Sequence, residues 1–171
     1  MSEVRSDLAH KAAAPRRVGF MVITVSDTRT AETDTSGDVI RRLVSEGGHD
    51  VVSSRIVRDE PRQVEEALRD GAARDDIQVI VLSGGTGLSS RDGTFEAVSA
   101  MLDKPMPGFG EIFRMLSFEQ VGAAAMLSRA IAGLYRGRAV FAIPGSPKAA
   151  ELALSRLILP EAGHLVFEAR R

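Results

Sequence analysis

Short, unbroken apolar runs alternate along this chain with segments whose apolar residues recur every three or four positions. Val18, Phe20, Met21, Val22, Ile23 and Val25 form the first run, within Arg17 to Val25. A run with no polar face predicts a strand buried on both sides, as in a parallel sheet. It ends in Ser26-Asp27-Thr28-Arg29. Val39, Ile40, Leu43 and Val44 then share a helical face, in a helix starting at Thr35-Ser36-Gly37-Asp38 and stopped by Gly47-Gly48. Val51, Val52, Ile56 and Val57 predict a second strand. Pro61 opens a second helix with the stripe Val64, Ala67, Leu68 and Ala72. Asp59, just before it, reads as that helix's cap, or as a carboxylate at the end of a strand. The third run, Ile77 and Val79 to Leu82, breaks into Ser83-Gly84-Gly85-Thr86-Gly87.

After the polar stretch Ser89 to Gly93 a third helix is expected, capped by Thr94. Prolines and glycines through Lys104 to Gly110 predict a stiff loop without regular structure. Ser117-Phe118-Glu119-Gln120 fits a capping box and predicts a helix start at Ser117. Met126 to Tyr135 and Ala139 to Ile143 flank Arg136-Gly137-Arg138, a hairpin pattern. Pro144-Gly145-Ser146-Pro147 is a second strand-to-helix glycine turn, with Ser146 as cap. Ala149, Ala150, Leu152, Ala153 and Leu157 face the next helix inward, and Leu159 to Phe167 predicts a closing helix. The order of elements predicts an α/β fold, a three-layer αβα sandwich with a mostly parallel sheet. Residues 16–171 read as one domain and residues 1–15 as a flexible N-terminal tail.

Composition narrows the function. A net charge of −1 gives no field to recruit nucleic acid or a membrane surface. No apolar run reaches spanning length, and the start lacks the apolar core of a secretory signal. Cysteine is absent, which excludes thiolate metal sites and makes a cytoplasmic setting the expectation. The three histidines lie far apart and do not favour a His-based metal site.

The candidate chemistry lies at the predicted strand ends. Ser26-Asp27, Asp59, Gly84 to Gly87 with Asp92, and Ser146 would share one rim of a parallel sheet. Glycine turns there expose backbone N–H groups to an anion, and carboxylates suit a hard cation beside it. The same glycines also suit a turn with no ligand. Asp92 could instead hold its own loop through backbone N–H groups. The turn is neither a Walker loop nor Gly-x-Gly-x-x-Gly, and no serine elbow or cysteine nucleophile is present. What remains is metal-assisted transfer of a phosphorus group.

Eight motifs in order carry a family resemblance: Thr24-Val-Ser-Asp-Thr-Arg29, Ser36-Gly37, Asp59-Glu60, Gly84-Gly-Thr-Gly87, Arg91-Asp92 with Thr94, Pro107-Gly-Phe-Gly-Glu111, Leu127-Ser-Arg129 and Pro144-Gly-Ser-Pro147. Together they resemble the molybdopterin-binding domain of molybdenum cofactor biosynthesis proteins, in the MoaB/MogA branch and nearer MoaB. The resemblance spans about Val18 to Leu159 and implies adenylylation of molybdopterin by Mg-ATP with release of pyrophosphate. By matching motif it implies Asp59 and Asp92 as catalytic carboxylates, with Asp92 also holding magnesium. Gly84, Gly85, Thr86 and Gly87 would hold nucleotide phosphates, and Ser117 would lie near the molybdopterin phosphate. Ser26, Asp27, Pro144, Gly145 and Ser146 would complete the rim. A homotrimer or homohexamer is implied, with contact to a molybdenum-insertion protein. The pattern departs from the family at Gly93 and Phe95, where valine and proline are usual. This implies a looser loop, and leaves a non-catalytic molybdopterin-binding or carrier protein as the alternative.

Overall fold

A computed structural model of the chain describes residues 14–170. Most of the expected N-terminal tail, residues 1–13, lies outside the described residues. Pro15 is placed against the last helix, where its carbonyl leaves no room for a side chain at Gly163.

Six strands form one sheet: β1 (Gly19–Val25), β2 (Asp50–Val57), β3 (Val79–Ser83), β4 (Lys104–Pro105), β5 (Ile131–Tyr135) and β6 (Arg138–Ile143). Their spatial order is β2-β1-β3-β6-β5-β4. Strands β2, β1, β3 and β6 run parallel, and β5 is antiparallel to both of its neighbours. The uninterrupted apolar runs occupy β1 and β3, which are buried throughout, as strands covered on both faces must be. Strand β2 lies at the edge and is only partly buried.

Helices α1 (Thr35–Glu46), α4 (Pro107–Val121), α5 (Pro147–Ala153) and α6 (Leu159–Ala169) cover one face. Phe20, Phe113 and Phe141 anchor that core. Helices α2 (Pro61–Ala72) and α3 (Thr94–Met101) cover the other, over Met21, Ile23, Ile80 and Leu82. This is the expected three-layer sandwich. A π turn, Leu154–Ile158, joins α5 to α6 without a break.

Three local expectations fail. Lys104 to Gly110 is not irregular: Lys104 and Pro105 pair with β5, and Pro107 opens α4. The ladder bonds here come from the flanking Asp103 and Met106 N–H groups, so the missing N–H of Pro105 costs nothing. Ser117 does not start a helix, because α4 runs through it and buries it. Met126 to Ala130 precedes the hairpin rather than joining it; Gly122–Leu127 is a 3-10 helix.

Candidate functional site

The parallel order brings the ends of β1, β2, β3 and β6 to one rim. Because β1 lies between β2 and β3, the turn after β1 bridges the other two. Ser26 Oγ accepts the Thr28 and Arg29 N–H groups and curls this turn. Asp27 Oδ1 accepts the Asp59 N–H at 3.2 Å, and its Oδ2 pairs with Arg91 Nε at 2.9 Å. The hydrogen bond from Arg91 holds the Asp27 carboxyl below the usual range.

Asp59 is buried, yet it does not cap α2 as expected. Glu60 occupies that position without a side-chain bond, and Asp59 Oδ1 instead accepts the Gly93 N–H at 3.1 Å. Burial pushes the Asp59 carboxyl up; the Gly93 bond opposes this, and the nearby Asp92 and Asp27 add to it. Thr94 is not a cap either. Gly93 precedes the helix, and the buried Thr94 Oγ1 has no hydrogen-bond partner in the structure.

Gly84 and Gly85 turn sharply with φ of 113° and 64°, a region that side chains disfavour. The turn is fixed at both ends. Gly84 N–H donates to Ile143 carbonyl at 3.0 Å, and Thr94 N–H to Gly85 carbonyl at 2.9 Å. Gly145 lies so close that a side chain on it would stand 3.1 Å from Gly84 Cα. The two glycine turns therefore touch backbone to backbone.

A cleft of about 500 Å³ opens there, lined by Gly84 to Gly87, Asp92 and Pro144 to Ser146 among others. Asp92 Oδ2 accepts the Ser89 N–H at 3.0 Å. Ser146 lines the cleft, while its Oγ accepts Ala149 N–H and caps α5 as expected. A smaller cleft of about 200 Å³ adjoins it through Ala124, Ser128, Pro144 and Ser146, and Ser117 lines this second space. The structure thus gathers Gly84 to Gly87, Asp92, Pro144, Gly145 and Ser146 in one cleft. Asp59 and Asp27 stand behind the Asp92 loop, and Ser117 stands in the annex.

Two residues given no role from the sequence belong to this region. Ser128 lines both clefts, and its buried Oγ has no hydrogen-bond partner. Arg129 donates to the Thr86 and Gly87 carbonyls. Both lie in Leu127-Ser-Arg129, so the motif was visible although the roles were not. The Gly93 N–H donates to Asp59, and the Phe95 ring lies under the Arg129 guanidinium at 4.9 Å.

Glycine turns and carboxylates on the rim of a doubly covered, mostly parallel sheet are the arrangement with which α/β proteins bind anionic ligands. Residues 21–164 match the family described as "Probable molybdopterin binding domain". A molybdenum cofactor biosynthesis protein B of Halalkalibacterium halodurans is 53% identical over 160 residues, covering 93% of this chain and 94% of that one. Its Bacillus subtilis counterpart is 46% identical over 163 residues, covering 95% and 96%. A crystal structure of molybdenum cofactor biosynthesis protein B superposes with a TM-score of 0.90 at 49% identity, covering 92% of this chain and 99% of that one. The tungsten cofactor synthesizing protein MoaB from Pyrococcus furiosus gives 0.83 at 38%, covering 92% and 100%. The chain belongs to the MoaB family of molybdopterin-binding domains.

Proposed function

We propose that this protein acts in molybdenum cofactor biosynthesis as a single-domain, cytoplasmic adenylyltransferase. It binds molybdopterin and Mg-ATP, joins AMP to the terminal phosphate of molybdopterin, and releases pyrophosphate. The observation that carries this reading is the convergence of Asp92 with the Gly84 to Gly87 turn in one cleft, with Asp59 behind it.

In the proposed step, a phosphate oxygen of molybdopterin attacks the α-phosphorus of ATP. A phosphorus–oxygen bond forms, the bond to the β-phosphate oxygen breaks, and pyrophosphate leaves. The attacking phosphate is already ionised at neutral pH, so positioning and charge neutralisation suffice. The Gly84 to Gly87 turn holds the nucleotide phosphates through the N–H groups of Gly85, Thr86 and Gly87, the Gly84 N–H being engaged by Ile143. Ser117 and the annex hold the molybdopterin phosphate, while Ser26, Asp27, Pro144, Gly145 and Ser146 shape the rim. Asp59 fixes the Asp92 loop through Gly93 and helps place pterin or metal.

The donor set fits a magnesium ion carried by phosphates. Among the described residues no three metal-binding side chains form a cage, and magnesium is commonly held by one or two carboxylates plus substrate phosphates. Asp92 would hold it, and when bound it neutralises phosphate charge. Ile112, Met115, Phe118, Val121, Met126 and Leu127 are exposed on α4 and the 3-10 helix. Such a patch supports a homotrimer or homohexamer, which can also dock a molybdenum-insertion protein.

The test is pyrophosphate release from Mg-ATP with and without molybdopterin, for wild type and Asp92→Ala. Molybdopterin-dependent release that Asp92→Ala abolishes is expected. No release from wild type that still binds molybdopterin would refute catalysis and identify a carrier.

A further inference from the structure

An arginine beside a phosphate-binding turn is ordinarily read as a clamp on the phosphate itself. Arg129 is spoken for. Its Nε donates to Thr86 carbonyl at 3.0 Å, its Nη2 donates to Gly87 carbonyl at 2.5 Å, and both Nη atoms meet the Glu96 carboxylate. Four of the five N–H donors of a guanidinium are thereby committed. Its face is occupied too, by the Phe95 ring. Arg129 does not line the Gly84 to Gly87 cleft; it lines the neighbouring cleft with Leu88 and Glu96.

In a trans peptide the carbonyl and the following N–H point in opposite directions. Drawing the Thr86 and Gly87 carbonyls toward Arg129 therefore turns the Gly87 and Leu88 N–H groups away from it. A cation on the carbonyls also polarises those peptides and strengthens their N–H groups as donors.

We infer that Arg129 is the positioning residue of the phosphate-holding turn, gripping its carbonyls from behind, with Phe95 as the platform that aims the guanidinium. Glu96, fixed in the first turn of α3, closes the grip. The inference rests on the proposed adenylyl transfer only for the identity of the ligand. It makes Phe95 part of the device, and accounts for an aromatic residue at the helix start.

The experiment measures two things on full-length protein. One is the backbone order parameter at Thr86 to Leu88 without ligand; the other is the Kd for Mg-ATP. Wild type should show order parameters of about 0.85, falling below about 0.6 in Arg129→Ala and Phe95→Leu. Kd should rise at least about tenfold in both, equivalent to about 1.4 kcal/mol. Phe95→Tyr, which keeps the ring, should restore both readouts. Arg129→Gln serves if Arg129→Ala fails to fold. A turn that stays ordered without Arg129 refutes the inference, and weaker binding with an ordered turn would make Arg129 a direct phosphate ligand instead. A turn that loosens while Kd holds also refutes it. If wild type binds no Mg-ATP, adenylyl transfer falls, and the order parameters still decide the grip.

Discussion

Replacing Gly85 with alanine tests the centre of the site most directly. Gly85 has φ of 64°, and a methyl group there would collide with Thr94 Oγ1 and Asp59 Oδ2. Two costs add. The left-handed backbone costs a residue with a side chain about 1–2 kcal/mol. Forcing a methyl into filled space costs about 1–3 kcal/mol more. Gly48→Ala is the control, because Gly48 has φ of 80° with nothing within 4 Å of its missing side chain. It pays the first cost alone. The excess of Gly85→Ala over Gly48→Ala is therefore expected at about 1–3 kcal/mol. At about 3 °C per kcal/mol for a chain of this size, that is about 3–9 °C in Tm. Urea unfolding followed by circular dichroism gives the free energies, with unchanged m-values as the check on two-state behaviour. Adding Thr94→Ala to Gly85→Ala removes one collision and should recover part of the loss. Equal losses in the two single variants, within about 0.5 kcal/mol, would refute the close packing of Gly85 on Asp59.

Asp59 carries a pH signature. Burial, reinforced by Asp92 and Asp27 against the Gly93 hydrogen bond, raises its folded-state pKa. The ionised form therefore costs stability above that pKa, and the cost is lost as pH falls through it. Asp59→Asn should melt higher than wild type at about pH 8, the gap closing toward about pH 4; a gap that widens in acid would reverse the argument. Asp34 is buried and accepts the Thr24 hydroxyl at 2.8 Å and the Gly37 N–H at 3.0 Å, with Arg41 at 3.3 Å. Asp34→Ala should cost about 3 kcal/mol in urea unfolding against under about 1 kcal/mol for the exposed Asp38→Ala. Phe118 and Met115 are 61% and 59% exposed. If they form the proposed oligomer interface, wild type should scatter light as a trimer or hexamer and the double glutamate variant as a monomer; a monomeric wild type would refute the oligomer, and an unchanged assembly would place the interface elsewhere.

Periodicity made the layers legible, because β1 and β3 are buried on both faces and the helices each bury one stripe. The rim was legible for the same reason, since polar turns closed each apolar run. Strand order was not. Nothing local in the chain says that β1 lies between β2 and β3, the order that sets Asp27 between Asp59 and Arg91. Capping patterns misled at Asp59, Thr94 and Ser117, residue types suited equally to caps and to buried partners. At Ser117 tertiary packing decided: α4 seats Phe109, Phe113 and Leu116 in the core, which outweighs weak propensity from Gly108 and Gly110. The Arg129 bonds span 33 to 43 positions of sequence, beyond any local pattern.

The π turn at Leu154–Ile158 has a consequence for chain length. A π turn holds one residue more than an α-helix of the same rise, the mark that a single insertion leaves in a helix. Ser155 and Arg156 are its exposed members. Deleting either would return the segment to α pitch and leave Ala162 and Val166 facing the sheet. The same deletion within α6 would swing the residues beyond it by about 100° and unseat the end of the domain. A deletion scan with folding as its readout would find a single tolerant notch there, a built-in allowance for indels in an otherwise phase-locked helix.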